Sequence, residues 1–571
     1  MESVTGGDLV VRTLQRAGVE TAFGINGAYS DPIYQAALDA GLRIVDVRHE
    51  MNAGHAAEGY ARVRGDVGVA LVTAGGAFTN VLTSIANAHL DRTPVVYIAA
   101  SGPLDQDQMN DLNAGIDQVA MAAPVTKFAH RVTRPELIPR LLAQAVRIAR
   151  SAPHGPVLID IPFDVIRASV DPGTVKDYRL SADVTGAAPE ATLDEIIALI
   201  WEARRPVAVV GKSFATPEAR AALHDFAART GVPLLADHDG LGALAGSKQR
   251  VGLLQSLLSP GEPARPDVVL MLGIRFGLKT ALGSGALIPK TARIVQIDAD
   301  ARELGRLQDV DLGIQADPAA TVAALVDRLK ATDGAADHAA WLTAVSQQAD
   351  ERLAAVEAVA GTEAEDGGAI HPFHAVKTIA GAVPEGAVVV ADGALTELWL
   401  SETIASSPLS HYLGQGYLSS MGLGLGTAIG AKSAVGETPT ILVTGDGAVG
   451  YSLAEFDSMV RAGLPVVVIV LNNQAWGATW HAQEIIYGRD RVTNNSLANG
   501  SYSGVARALG ADGVEVTSLD QLAPAIRDAV QSGRPTCIDV RVRLDPMPPE
   551  EKAIMGASPF GVVENITLAS G

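Results

Sequence analysis

The chain has 571 residues, 48% hydrophobic and 19% charged, a composition that excludes a disordered polymer and suggests two to four packed domains. A formal charge of −20 argues against non-specific binding to nucleic acid or anionic membranes. The single cysteine, Cys537, excludes an intramolecular disulfide and, in the apolar run Pro535–Val540, reads as a buried structural thiol.

Met1–Asp8 has neither the basic nor the apolar region of a signal peptide, and no apolar stretch reaches membrane-spanning length. The expectation is a cytoplasmic protein. Three segments then alternate short β-branched apolar runs with helical stretches. The first has Leu42–Val47, Val67–Val72 and Pro94–Ala99, with helices over Asn52–Arg64 and Phe78–Leu90. The second has Pro206–Val210, Val232–Ala236, Asp267–Leu272 and Ala292–Ile297. The third has Ala387–Ala391, Thr438–Thr444, Leu464–Leu471 and Thr536–Val542. This alternation predicts an α/β protein of three doubly wound parallel-sheet domains, over residues 1–180, 190–335 and 365–555. Boundaries are expected near Asp171–Pro189 and Thr332–Gly368, the second marked by the acidic, Gly-rich run Gly361–Gly368.

The third segment carries the most chemistry. Asp446 follows the strand-like run in Ile441–Gly450, and Asn473 follows a second such run ending at Leu471. Between them a helix is predicted over Tyr451–Ala462, ended by Gly463. Open parallel sheets bind ligands at such strand ends. Magnesium prefers oxygen ligands and takes one or two from protein, completed by phosphate. Asp446 offers charge, the Asn473 amide a neutral oxygen, and the Ala475 carbonyl a third. Gly445 and Gly447 allow a tight turn whose N–H groups can hold a diphosphate. A lone Gly-Asp-Gly reads as a turn after a buried strand. With Asn-Asn behind the next strand, the metal–diphosphate reading is favoured. Far upstream, Glu50 stands between an apolar run and a small-residue helix. Alone it reads as a solvated or helix-capping charge.

Taken together, these features resemble the fingerprint of thiamine-diphosphate enzymes. Nearly the whole chain is similar to the benzaldehyde lyases, through Thr5–Leu14, Gly54–Arg62, Ala70–Gly76, Gly115–Pro124, Ala391–Thr396, Gly416–Leu418, Asn473–Thr479 and Leu544–Glu551. The resemblance implies a pyrimidine-binding first domain, a Rossmann-like middle domain and a third domain binding diphosphate and Mg2+. It implies that Glu50 bonds and activates the aminopyrimidine ring. It places Gly393, Ala394, Leu395, Thr396, Ser419, Met421, Gly445, Asp446, Gly447, Ala448, Asn473, Ala475, Trp476 and Gly477 against the cofactor. Asp446, Asn473 and Ala475 are its metal ligands. Tyr29, Asn113 and Gln415 join Glu50 as catalytic candidates. Ala28, Tyr29, Asn113, Glu397, Ala478 and Trp480 are the substrate-pocket candidates. The cofactor is expected between the first domain of one subunit and the third of another, so a homodimer is the minimum and a homotetramer the usual assembly. Small aldehydes or 2-hydroxy ketones are the expected partners, without nucleic acid or membrane.

The departures lie on the substrate side. Benzaldehyde lyases have histidine at the places of Asn26, Tyr29 and Gln415, glutamine at Asn113, tyrosine at Glu397 and glycine at Ser419. A phenol normally titrates near ~10, so Tyr29 is a hydrogen-bond donor rather than a base near neutrality. The expected function is a carbon–carbon lyase and carboligase for 2-hydroxy ketones and aldehydes. The alternative is a 2-hydroxyacyl-CoA lyase or 2-oxo acid decarboxylase, which needs a cationic site; Arg275 and Lys279 are its candidates. A non-catalytic relative is disfavoured because the cofactor residues are kept. An NAD oxidoreductase is rejected, because Gly422–Gly426 has the wrong glycine spacing and suits helix packing.

Overall fold

The computed structural model describes residues 4–107, 109, 112–113, 115–178, 180, 186–257, 265–331, 337–362, 369–497, 500–549 and 551. Residues 181–185 and 332–336, and 363–368 of the acidic, Gly-rich run, fall in the expected boundaries and lie outside the described residues.

Three six-stranded sheets, all parallel, form the framework. Across the first sheet the strands are Arg43–Asp46, Thr21–Gly24, Gly68–Val72, Val95–Ser101, Val157–Pro162 and Phe128–Arg131. The middle sheet runs Arg250–Leu253, Leu234–Ala236, Pro206–Val210, Val268–Leu272, Arg293–Asp298 and Leu312–Gln315. The third runs His411–Leu413, Val388–Asp392, Thr440–Gly445, Val466–Asn472, Thr536–Arg541 and Asp512–Val516. Central strands such as Val466–Asn472 are buried at every position, as a parallel sheet covered by helices on both faces requires. Numbered within its own domain, the first and third sheets have the same order, 2-1-3-4-6-5. The middle sheet has the Rossmann order 3-2-1-4-5-6.

Every apolar run expected to be a strand overlaps one. The helix expected over Tyr451–Ala462 is shorter, Glu455–Ala462, because a one-turn helix, Asp446–Val449, and a turn intervene. Gly463 ends it in the left-handed region with φ 64°. Cys537 is buried and free.

The first and third domains of one chain meet through helices Glu50–Arg64 and Gly424–Val435. Their approach is close: a Cβ on Gly430 would lie 1.8 Å from the Ala56 carbonyl oxygen. One apolar cluster runs through this contact, joining Ala57 and Tyr60 to Val388 and Leu442. Another joins Val210 and Leu270 of the middle domain to Val389 and Ile441 of the third. Among the described residues no helix is long and apolar enough to cross a membrane.

Candidate active site

Strands Thr440–Gly445 and Val466–Asn472 are neighbours, with Gly445 paired to Leu471, so their carboxyl ends open side by side. Asp446 begins the one-turn helix at the first of these ends and is 3% exposed. Its Oδ1 accepts the Gly447 N–H at 2.9 Å and its Oδ2 the Ala475 N–H at 3.2 Å. The Asn473 Oδ1 accepts that same Ala475 N–H at 3.1 Å. Gln474, in the left-handed region at φ 64°, makes the turn that brings these oxygens together. Asn472 braces the turn from beneath, donating to Asp539 Oδ1 at 2.9 Å. Burial pushes the Asp446 carboxyl up to about 6; its backbone hydrogen bonds pull the other way without cancelling the shift.

These groups border an open cleft at the two strand ends. Its walls are Gly393, Ala394, Leu395, Thr396, Met421, Gly445, Asp446, Gly447, Ala448, Leu471, Asn473, Ala475, Trp476, Gly477, Ala478 and Thr479. Gly447 has no room for a side chain: a Cβ would lie 2.5 Å from the Trp476 ring. Of the third-domain residues expected against the cofactor, Ser419 alone does not line this cleft. It stands exposed in the same loop as Met421, with φ 54°.

Glu397, Gln415 and Trp480 also lie outside these walls. Glu397 is 7% exposed and its Oε2 accepts the Gln415 N–H at 2.9 Å. The Gln415 side chain donates to the Ser420 carbonyl at 2.9 Å. Trp480 is half-buried on helix Gly477–Tyr487.

The first-domain candidates form a separate group. Glu50 is the first residue of its helix, and its Oε2 accepts from Asn80 Nδ2 at 2.9 Å. Asn80 is a residue that sequence reasoning missed, since a polar side chain inside a helical pattern carries no signal of its own. Tyr29 packs on Phe163, with centroids 5.3 Å apart, and its hydroxyl lies 3.5 Å from the Leu112 carbonyl. The next residue, Asn113, is exposed in the left-handed region at φ 63°, and Ala28 is exposed. None of Ala28, Tyr29, Glu50 and Asn113 lines the Asp446 cleft of its own chain. The helix of Glu50 instead docks on the third domain through Asn52, which donates to Ser452 and Glu455.

The family descriptions agree with this division. The N-terminal TPP binding domain of thiamine pyrophosphate enzymes matches residues 4–121, the central domain 193–325 and the C-terminal TPP binding domain 392–540. The chain belongs to the thiamine pyrophosphate enzymes. Curated relatives span nearly its whole length. An acetolactate synthase large subunit of Corynebacterium glutamicum is 30% identical over 95% of this chain and 88% of its own. A probable acetolactate synthase of Mycobacterium bovis is 31% identical over 94% and 96%. A sulfoacetaldehyde acetyltransferase of Castellaniella defragrans is 29% identical over 93% and 91%.

In this thiamine pyrophosphate enzyme a larger cavity opens where the three domains meet, lined in part by Arg62, His154, Lys212, Asp239 and His411. It shares no wall with the Asp446 cleft. The cations flagged for substrate carboxylate are already engaged. The Arg275 guanidinium carbon lies 3.6 Å from the Tyr417 ring centroid, and Arg275 also donates to the Leu90 carbonyl. Lys279 Nζ lies 5.4 Å from the same centroid and 3.9 Å from Asp239 Oδ2.

Proposed function

We propose that this enzyme is a carbon–carbon lyase and carboligase that cleaves 2-hydroxy ketones to aldehydes and joins aldehydes into acyloins, in the manner of benzaldehyde lyases. The observation that carries this reading is that, among the described residues, the cleft walls carry no cationic side chain. Neither the cleft walls nor Ala28, Tyr29, Glu50 and Asn113 include a lysine or arginine. A neutral carbonyl substrate suits such a surface better than a carboxylate.

The residues present fit both thiamine diphosphate and magnesium. One buried carboxylate, Asp446, has no cationic partner, and the Asn473 amide oxygen converges with it on one N–H. That oxygen set, with the Ala475 carbonyl, matches what magnesium takes from protein when phosphate supplies the rest. Among the described residues no cluster of three His, Cys, Asp or Glu side chains is present, and this donor set needs none. Gly445 and Gly447 give the turn a backbone without side chains, of which Gly447 makes room for the Trp476 ring and Gly445 borders Thr396 in the cleft wall. Bound thiamine diphosphate supplies a carbon nucleophile and an electron sink for breaking and making C–C bonds.

The chain supplies position and protons. Asn80 orients Glu50, whose carboxyl would hold the aminopyrimidine of bound cofactor. Tyr29 donates to a developing alkoxide, while Asn113 and Gln415 orient substrate oxygens. Glu50, Tyr29 and Asn113 do not line the cleft of their own chain, which supports a minimum active unit of two chains, with a homotetramer as the usual assembly. The site acts on small molecules, in the cytoplasm, without nucleic acid or membrane.

A second reading keeps the same centre but turns it on 2-oxo acids or 2-hydroxyacyl-CoA esters. The relatives named acetolactate synthases favour carboligation under either reading. The deciding test is turnover with thiamine diphosphate and magnesium on aldehydes, benzoin-type ketones, 2-oxo acids and 2-hydroxyacyl-CoA esters, with products identified by mass. Acyloin cleavage or formation without carbon dioxide is expected. Carbon dioxide or formyl-CoA release overturns the first reading in favour of the second. On the preferred substrate, Glu50→Gln is expected to retain cofactor while turnover falls ~10²–10⁴-fold. Unchanged turnover would remove Glu50 from the activation step.

A further inference from the structure

The loop from Gly414 to Leu423 carries Gln415, Ser419 and Met421. Three buried carboxylates hold its backbone and the start of the helix that follows. Glu397 accepts the Gln415 N–H at 2.9 Å. Asp392 accepts the Gly422 and Gly424 N–H groups at 3.2 and 2.8 Å. Both belong to the third domain. The remaining carboxylate comes from the first domain: Asp91, 4% exposed, accepts the Tyr417 N–H at 2.8 Å. It fits so tightly that a Cβ on Gly416 would lie 1.6 Å from its Oδ2. The middle domain covers the other side. Arg275 lies flat against the Tyr417 ring and donates to the carbonyl of Leu90, the residue before Asp91. Neither Asp91 nor Arg275 lines the cofactor cleft.

The geometry points to Asp91 and Arg275 as positioning residues that set the course of the loop bearing Gln415, Ser419 and Met421, through which Met421 enters the cleft wall. The third domain builds the cofactor site, and the other two domains place its substrate-side loop. Hydrogen bonds from an N–H to a buried carboxylate are among the stronger ones, and an arginine–tyrosine stack adds to them. A loop fixed at Tyr417 by both cannot drift without breaking one of them. Gly416 belongs to the same device, since no side chain fits between the loop and Asp91.

Hydrogen exchange over residues 414–424 tests this without turnover. In Asp91→Ala the Tyr417 amide is expected to exchange at least ~10-fold faster, while Gly422 and Gly424, held by Asp392, keep wild-type rates. Asp91→Asn keeps an acceptor oxygen and is expected to restore most of the protection. Unchanged exchange at Tyr417, or an equal loss of protection along the whole chain, overturns the assignment.

Kinetics give the second reading, and this arm rests on the acyloin function proposed above. Asp91→Ala and Arg275→Met are expected to lower kcat/KM for the aldehyde ~10–100-fold and to reduce the enantiomeric excess of the product, with thiamine diphosphate affinity kept within about twofold. Should Asp91→Ala fail to fold, Arg275→Met still decides. If it is folded and matches the wild type in kcat/KM and enantiomeric excess, the middle domain does not position the loop. If the wild type turns over 2-oxo acids instead of aldehydes, the acyloin reading fails. The same variants assayed on that substrate then decide the role of the loop.

Discussion

His481 has acceptors opposite both ring nitrogens: Glu551 Oε2 at 3.0 Å from Nδ1 and the Leu544 carbonyl at 2.8 Å from Nε2. A neutral imidazole has a single N–H, so both bonds require the imidazolium form. Burial draws its pKa down, but the Glu551 carboxylate and the Leu544 carbonyl outweigh it and the net shift is upward from 6.5. A histidine whose folded pKa exceeds its unfolded one stabilises fully below the unfolded value and loses that stabilisation as pH rises through the folded value. Wild type is therefore expected to melt above His481→Gln below pH 6.5, with the gap closing as pH rises beyond it. Parallel melts across that window check this; a gap independent of pH would show that packing, not charge, accounts for the difference. At this scale, what the sequence could reveal depended on contiguity. Asp446 and Asn473 stood out because their ligand chemistry lies within one short strand–helix–strand motif. The Asn80–Glu50 bond spans 30 positions and the His481–Glu551 pair 70, and no local pattern announces either.

At the level of elements, the contact between helices Glu50–Arg64 and Gly424–Val435 depends on the absence of a methyl group. Gly430→Ala would force the Ala56 carbonyl aside, because the Cβ would meet rigid helix backbone at 1.8 Å. Overpacking of this kind costs ~1–3 kcal/mol, and a backbone clash places the change at the upper end. A lowered denaturant midpoint with an unchanged slope is the expected result. A midpoint equal to the wild type's would mean that the two helices can separate freely. The glycines around Gly422–Gly426 were legible as packing residues because their spacing fits no dinucleotide turn. Most central strands were legible, as was the edge strand Arg43–Asp46, but the short central strand Thr21–Gly24, buried at every position, was not. Edge strands Phe128–Arg131, Arg250–Leu253, Leu312–Gln315, His411–Leu413 and Asp512–Val516 gave no clear run, since an edge strand is only partly covered and tolerates polar side chains. Val157–Pro162 is central and buried, yet Asp160 and Pro162 interrupt its apolar pattern. Asp160 is tolerated there because Ser101, Gln118 and Arg131 all donate to it.

For the whole molecule, the proposed sharing of the site between two chains predicts complementation. Glu50→Gln spoils one half of the site and Asp446→Ala the other, so each protein alone should be nearly inactive. If the halves come from different chains, a mixed dimer has one site with both defects and one with neither. Random reassembly of equal amounts should then recover about a quarter of the wild-type sites. Activity that stays at the level of the separate variants after verified subunit exchange would place both halves in one chain. The sequence revealed three α/β segments of similar style but not their relation, because strand order depends on contacts between distant residues.

That order, shared by the first and third sheets but not by the middle one, has a further consequence. The same six-strand layout is used twice in the chain, on either side of a middle domain of different order. In the third domain the ends of strands three and four carry the anchoring chemistry, Asp446 and Asn473. The matching ends in the first domain lead into Thr73 and Gly102, and the candidates proposed for recognition, Tyr29 and Glu50, follow the neighbouring strands one and two. A layout used twice in this way lets one copy change what it recognises while the other keeps what it anchors: in the site proposed above, Tyr29 and Asn113 belong to the first domain and the Asp446 turn to the third, so either can be altered without rebuilding the other.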